Sequence, residues 1–307
     1  MRKIPKGSSV RRSRRKSQLY YHSMMLPGIA FLLIFSYVPM IGLIMAFQDF
    51  VPARGLFRSK FVGLKHFRYM LSLPDFSRII RNTLVIALSK IVIGMVIAIL
   101  FAILLNEIRK KWLKKSVQTI VYLPHFLSWV VLATVVTNLF NLDGLVNSLL
   151  AGIGLEKINF LGNVRVFPGL IIGTDVWKEF GYNSIVYLAA ITAIDPGLHE
   201  AAAIDGASWW QRVWHITLPG MLPIILLMTA MNLTSVLSAG FDQIYNLYSP
   251  LVYETGDVLD TYVYRIGLVG RQYSFGTAVG LARSAIGMIL LTVCNRITRR
   301  ATGQSIY

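Results

Sequence analysis

Five ionisable residues stand inside stretches that are otherwise apolar: Lys90, Asp175, Lys178, Glu179 and Arg283. Such a group in a membrane-length run is costly, so it marks an ion or substrate path or a packed polar contact. Asp175, Lys178 and Glu179 fall at i, i+3 and i+4, on one face of a helix, where they can partly neutralise one another. Lys90 is then left to pair with whichever carboxylate remains. Proton or sodium coupling uses such groups, which makes an ion-coupled secondary transporter one reading of the chain. Sugar contact needs something else, aromatic faces beside amides and hydroxyls. Within the apolar runs the candidates for a translocation path are Trp177, Lys178, Glu179, Asn183, Asn232 and Thr234, with Tyr182, Tyr187, Ser235 and Trp129 beside them. Each also has a structural alternative as interfacial belt or interhelical contact.

Other chemistries have no support. No GxxxxGK[ST] phosphate loop occurs, so ATP is not expected to be bound or hydrolysed by this chain. His199-Glu200 begins a zinc-protease pattern, but Ala203 stands where the second histidine is required. There is no GxSxG elbow, the five histidines are scattered, and a single cysteine, Cys294, excludes an intramolecular disulfide and reads as a small core residue. No catalytic residue, metal or cofactor is expected.

The elements that must position these residues follow from composition. The 307 residues are 55% hydrophobic and 15% charged, too apolar for one aqueous core of ordinary composition. The net charge of +17 is concentrated next to the apolar runs, which fits membrane topology rather than nucleic acid. Six stretches have the ~20 apolar residues that a helix needs to cross a bilayer: Met24–Phe47, Thr83–Leu105, Ile120–Phe140, Pro168–Ile194, Met221–Phe241 and Phe275–Asn295. The expected fold is an all-α, polytopic transmembrane bundle of six spans. Residues 1–23 form a basic tail and 24–307 the membrane domain. In the first span Pro27 falls in the first turn, and Pro39 with Gly42 should kink the second half. Lysine and arginine favour both termini in the cytoplasm, with the basic connection NEIRKKWLKKSVQ inside. The loop from Asp49 to Asn82 dissents, since its seven basic residues would lie outside; GLKHFRYMLSLPDFSRIIRNTL suits a helix along the interface. Arg54, Arg58 and Lys60 of that loop would attract an acidic saccharide or anionic lipid.

On this topology residues 195–220 form a cytoplasmic connection that is long for one between helices. Asp195-Pro196 is a helix start, LHEAAAID has strong helix formers, and Gly206 is a stop. A second helical stretch, Ala207 to Ile216, should end at Leu218-Pro219. Trp209, Trp210 and Trp214 give the loop an apolar surface that suits either a protein partner or lipid headgroups.

Glu200-Ala201-Ala202, three residues, Gly206, nine residues, then Ile216 and Leu218-Pro219 resemble the EAA loop of the permeases of binding-protein-dependent ABC importers, with every fixed position met. FVGLKHFRYML, the NTL of Asn82 to Leu84, the AILLN ending at Asn106, YLPHFLSWVV, DVWKEFGYNSIVYLAAITAIDP, DTYVYRIGL and QYSFGTAVGL are similar to the carbohydrate-importing branch, particularly its poly- and oligosaccharide subgroup. The resemblance implies a type I importer permease in the bacterial cytoplasmic (inner) membrane, in contact with its lipid. It implies a second homologous permease, two cytoplasmic ATPase subunits that use ATP and Mg, an external solute-binding protein and a saccharide cargo. It further implies that Glu200, Ala201, Ala202, Asp205, Gly206, Ile216, Leu218 and Pro219 dock in the ATPase, Glu200 helping to seat the loop and Gly206 allowing its turn.

Overall fold

A computed structural model describes residues 8–234 and 236–302, with side chains from Tyr20 to Val293 and at 295, 296 and 299. Ser235, residues 1–7 of the basic tail and the side chain of Cys294 lie outside the described residues. Among the described residues, five helical stretches are long and apolar enough to cross a membrane: Tyr20–Phe47, Pro74–Glu107, Trp129–Gly152, Trp209–Thr234 and Tyr273–Val293. The stretch expected as the fourth span is also a helix, Phe167–Thr192, of 26 residues. It is long enough to cross, and its three charges are what set it apart from the five.

The first helix, α1 (Ser8–Leu32), begins well before the expected start, so Pro27 is inside it rather than in its first turn. It runs on through a π turn (Leu33–Tyr37) and a 3-10 stretch (Ile41–Phe47). The wide turn before Pro39 lets the Val38 N–H bond the Leu33 carbonyl, and the tight one follows it, so the expected kink takes the form of a change in helical winding. Its apolar side chains are nearly all uncovered. A two-residue hairpin, Gln48–Asp49 against Lys60–Phe61, closes the next loop. The expected interfacial helix is shorter than the sequence suggested. Only α2 (Lys65–Ser72) lies apart, and the following residues belong to α3 (Pro74–Glu107), which opens on Pro74 at its first position.

The 34 residues of α3 extend about 50 Å at 1.5 Å each, against ~30 Å of hydrocarbon. The expected third span is broken. Helix α4 (Lys111–Tyr122) ends in a 3-10 turn (Leu123–Phe126) at Pro124, and α5 (Trp129–Phe140) restarts with Ser128 as N-cap. A short α6 (Leu145–Gly152) follows, pinned by Asn147. This fully buried amide donates to the Asn141 and Ile158 carbonyls (2.8 and 2.9 Å) and accepts from the Ile158 N–H (2.8 Å).

Helix α7 (Phe167–Thr192) packs along α3. Ile86, Ala87, Phe167 and Ile171 share one apolar cluster, and Ala98, Ala102, Tyr187 and Ile191 share another nearer the other end. After α8 (Pro196–Ile204) and α9 (Trp209–Arg212), α10 (Leu218–Thr234) crosses back, ending seven residues short of the expected Phe241. Gly240, at φ 95°, turns the chain into α11 (Phe241–Leu247), and α12 (Tyr273–Thr302) completes the described chain.

Candidate functional site

Two places hold the residues singled out in the sequence. The first is the connection from α7 to α10. The Asp195 carboxylate accepts the Gly197 N–H (2.9 Å) and so caps α8. At the other end Gly206 takes φ 80°, the Gly206 N–H bonds the Ala203 carbonyl (3.1 Å), and the Ala207 N–H reaches the Ala202 carbonyl (2.9 Å). This is a left-handed helix stop of the kind glycine favours. Two residues on, Ser208 and Gln211 form a reciprocal capping box, the Ser208 N–H donating to Gln211 Oε1 (2.7 Å) and the Gln211 N–H to Ser208 Oγ (3.4 Å).

The second helix does not end at Leu218-Pro219 as expected. It passes through a π turn (Val213–Thr217) directly into α10. Pro219 has no N–H for the His215 carbonyl; the wider turn, with the Leu218 N–H on the Val213 carbonyl, carries the helix past that gap. Trp209, Val213 and Leu218 pack against the end of α7, whereas Leu198, Ile204, Trp210 and Trp214 are exposed, Ile204 at 86%. Glu200, Ala201 and Asp205 are exposed too. A cavity of about 480 Å³ separates the loop from the end of α3, with Glu107, Arg109, His199, Glu200 and Arg212 on its walls. Gly220 matters here without having been noticed in the sequence. A Cβ on it would lie 2.7 Å from Ile194 Cδ1, so its small size lets α10 close on the end of α7.

The second place is a cavity of about 320 Å³ between α3, α7 and α10. Of the expected path residues, Glu179, Asn183 and Asn232 line it, together with Lys90, Asp175 and Tyr187. Trp177 faces away, onto a separate apolar groove with Val135 and Phe140, and Thr234 lines a third space beside Arg283. The charges pair as expected, Lys178 with Glu179 and Lys90 with the remaining carboxylate, Asp175, and they form two clusters. Lys90 Nζ donates to Asp175 Oδ1 (3.1 Å), to the Ala239 carbonyl (2.8 Å) and to Gln243 Oε1, tying α3, α7 and α11 together. Gln243, fully buried, returns its amide to the Ile171 carbonyl (2.7 Å) and Thr174 Oγ1 (2.8 Å).

Lys178 instead turns to the break in the third span. Its Nζ donates to the His125 carbonyl (2.8 Å) and Glu179 Oε1 (2.8 Å), near the Trp129 ring. The carbonyl end of an interrupted helix favours a cation, which is why the interruption and the lysine occur together. Glu179 Oε2 lies 2.7 Å from His125 Nδ1, and the His125 ring stacks on Tyr182 at 3.8 Å. Gly181 permits this junction, since a Cβ there would meet the Val121 carbonyl oxygen at 2.5 Å. Arg283 is held by Asp260.

Residues 90–302 match the family described as the binding-protein-dependent transport system inner membrane component. The chain belongs to this family. It is therefore a multi-pass inner membrane component, not an enzyme. The permease is 43% identical to the polygalacturonan/rhamnogalacturonan transport system permease protein YteP of Bacillus subtilis (strain 168), over 94% of this chain and 91% of that one. It is 36% identical to protein LplB of the same organism, over 95% and 92%. A solved bacterial ABC transporter involved in the import of the acidic polysaccharide alginate superposes with a TM-score of 0.87 at 40% identity, covering 96% of the permease and all of that chain. The sequence had no way to assign Gln243 and His125 to the two clusters. Their only sign was a polar residue within four positions of a predicted span end or a proline.

Proposed function

We propose that the permease carries a saccharide, an oligo- or polysaccharide, into the cytoplasm, driven by ATP hydrolysed with Mg in two separate ATPase subunits. It works beside a second homologous permease and receives cargo from an external solute-binding protein. The observation that carries this reading is the doubly capped helix–Gly206–helix, which exposes Leu198, Ile204, Trp210 and Trp214 and continues without a break into α10. Four large apolar side chains on one polar-capped connection suit a protein cleft. Their continuity with α10 gives movement of that cleft a rigid path to the membrane cavity. Glu200, Ala201, Ala202, Asp205, Gly206, Ile216, Leu218 and Pro219 are the coupling residues in this reading, and Glu179, Asn183 and Asn232 are cargo contacts in an alternating-access pathway. Both termini are cytoplasmic, and residues 24–307 act as one membrane domain.

Support for a saccharide comes from the mixed lining of the cavity, amides and carboxylates beside Tyr187, and from the polysaccharides named for the relatives. The ion-coupled alternative would use Lys90 and Asp175, but these already bond each other, and Lys90 also bonds Gln243. Uptake into proteoliposomes holding the full complex tests the choice. ATP-dependent uptake is expected to survive collapse of proton and sodium gradients; uptake that follows the gradients and ignores ATP refutes the proposal.

A further inference from the structure

At the Pro74 end of α3, opposite the coupling loop, a second cavity of about 470 Å³ lies between the first loop and the start of α12. Phe50, Tyr69, Tyr273 and Phe275 wall it with rings, Phe50 edge-on to Tyr273 at 6.2 Å and Tyr69 edge-on to Phe275 at 5.6 Å. Its basic residues are Lys65, His66 and Arg271. The first two are already engaged, since Asp49 accepts from Lys65 (2.8 Å) and lies 3.1 Å from His66 Nε2. The hydrogen bond from Lys65 holds the Asp49 carboxyl below its usual range.

Arg271 differs. Among the described residues no carboxylate reaches it, and it is the one non-glycine there with a positive φ, 57°. It occupies the left-handed stop of a helix, with the Gly270 N–H on the Arg265 carbonyl (2.9 Å) and the Gln272 N–H on the Ile266 carbonyl (3.3 Å). Glycine would hold that backbone at lower cost. An arginine in a position that suits glycine, and on the lining of a ring-walled cavity, indicates that the side chain has a use.

We propose that this cavity is an entry subsite for a carboxylate-bearing sugar unit, with Arg271 gripping the carboxylate and Tyr69 and Tyr273 offering faces to the ring. Arginine binds a carboxylate through two parallel N–H bonds, and aromatic faces meet the C–H face of a sugar. The inference rests on the saccharide reading above but not on the central cavity.

The test is equilibrium binding of a uronate trisaccharide, and of its carboxyl-reduced neutral counterpart, to the whole complex in nanodiscs of phosphatidylcholine alone. Arg271→Gly relieves the backbone, so it keeps the fold. It is expected to weaken uronate binding about tenfold, the worth of a charge-assisted hydrogen bond, and to leave the neutral sugar within about twofold; Arg271→Lys should recover part of the loss. Equal affinity of wild type and Arg271→Gly for the uronate overturns the proposal. So does an equal loss for both sugars, which marks a docking surface for the binding protein. Binding that is absent in phosphatidylcholine, with less phosphatidylglycerol retained by Arg271→Gly, marks a lipid headgroup site and overturns it as well. ATP-dependent uptake measured on the same preparations keeps the two readings apart, because it persists if only the entry subsite is wrong.

Discussion

The arrangement around Lys90 shows how much depends on single partners. Its ammonium is almost removed from solvent and is answered by a carboxylate of α7, an amide oxygen of α11 and a backbone carbonyl of the turn before α11. Taking away one member of such a pair leaves a charge with no answer, typically costing 3–5 kcal/mol, whereas replacing both by apolar groups of similar volume is often neutral. Lys90→Met is therefore expected to destabilise the permease by about 3 kcal/mol, and Lys90→Met with Asp175→Leu to recover most of that. Thermal unfolding of the detergent-solubilised complex checks this, and a double variant no better than the single one would show that the pair does not act as a unit. Gly181 sets a second limit at this scale. With the Val121 carbonyl 2.5 Å from where a Cβ would sit, Gly181→Val must push α4 away from α7 and loosen the Lys178–Glu179–His125 cluster. The same measurement should show a loss of at least about 2 kcal/mol for Gly181→Val and less for Gly181→Ala.

Among the elements, the coupling loop was legible because its signals are local. Asp195-Pro196 and Gly206 each act within four residues, and each is found capping or stopping a helix as its chemistry dictates; the Ser208–Gln211 capping box, equally local, was not read and starts the second helix at Trp209 rather than Ala207. What followed Pro219 was not legible, because proline's usual effect was overridden by a π turn whose neighbours, Trp209 and Val213, are held by the end of α7. The break in the third span went unread for a related reason. Ile120–Phe140 carries no Asp, Glu, Lys or Arg, and the contact of Lys178 from another helix with the His125 carbonyl at the Pro124 turn could not be read from it. The site residues divide in the same way: spacing along one helix put Glu179 and Asn183 on the cavity, but it could not decide which face Trp177 takes. Gly206 gives the element-scale prediction. A Cβ there meets nothing within 4 Å, so substitution costs only the left-handed backbone, about 1 kcal/mol for alanine and less for asparagine. Co-purification with the ATPase should fall in the order Gly, Asn, Ala, with uptake following it. Full association and uptake in Gly206→Asp would show that the turn is not the coupling element.

For the molecule as a whole, the distribution of basic residues is the argument for which way the bundle sits, and two of the seven basic residues in the dissenting loop from Asp49 to Asn82 are already paired. Lys65 is paired with Asp49 and Arg78 with Asp75, and α3 is about 20 Å longer than the hydrocarbon core needs. Arg78 and Arg81, in its first turns, can thus stand in water beyond the membrane surface. At the opposite end Arg109, Lys110, Lys111, Lys114 and Lys115 follow α3 directly and no acidic residue within that run offsets them. Orientation responds to lysine and arginine within ~15–20 residues of a span, so this dense, unpaired run should hold the α3 end inside. In a variant with Cys294 replaced, a cysteine at Lys60 is expected to react with a membrane-impermeant thiol reagent added to intact cells, and one at Lys111 only after lysis. Changing the five basic residues to glutamine should give a mixed population in which both positions label. If Lys111→Cys labels from outside in the otherwise unchanged permease, the coupling loop lies on the wrong side for a cytoplasmic ATPase and the proposed mechanism fails with it.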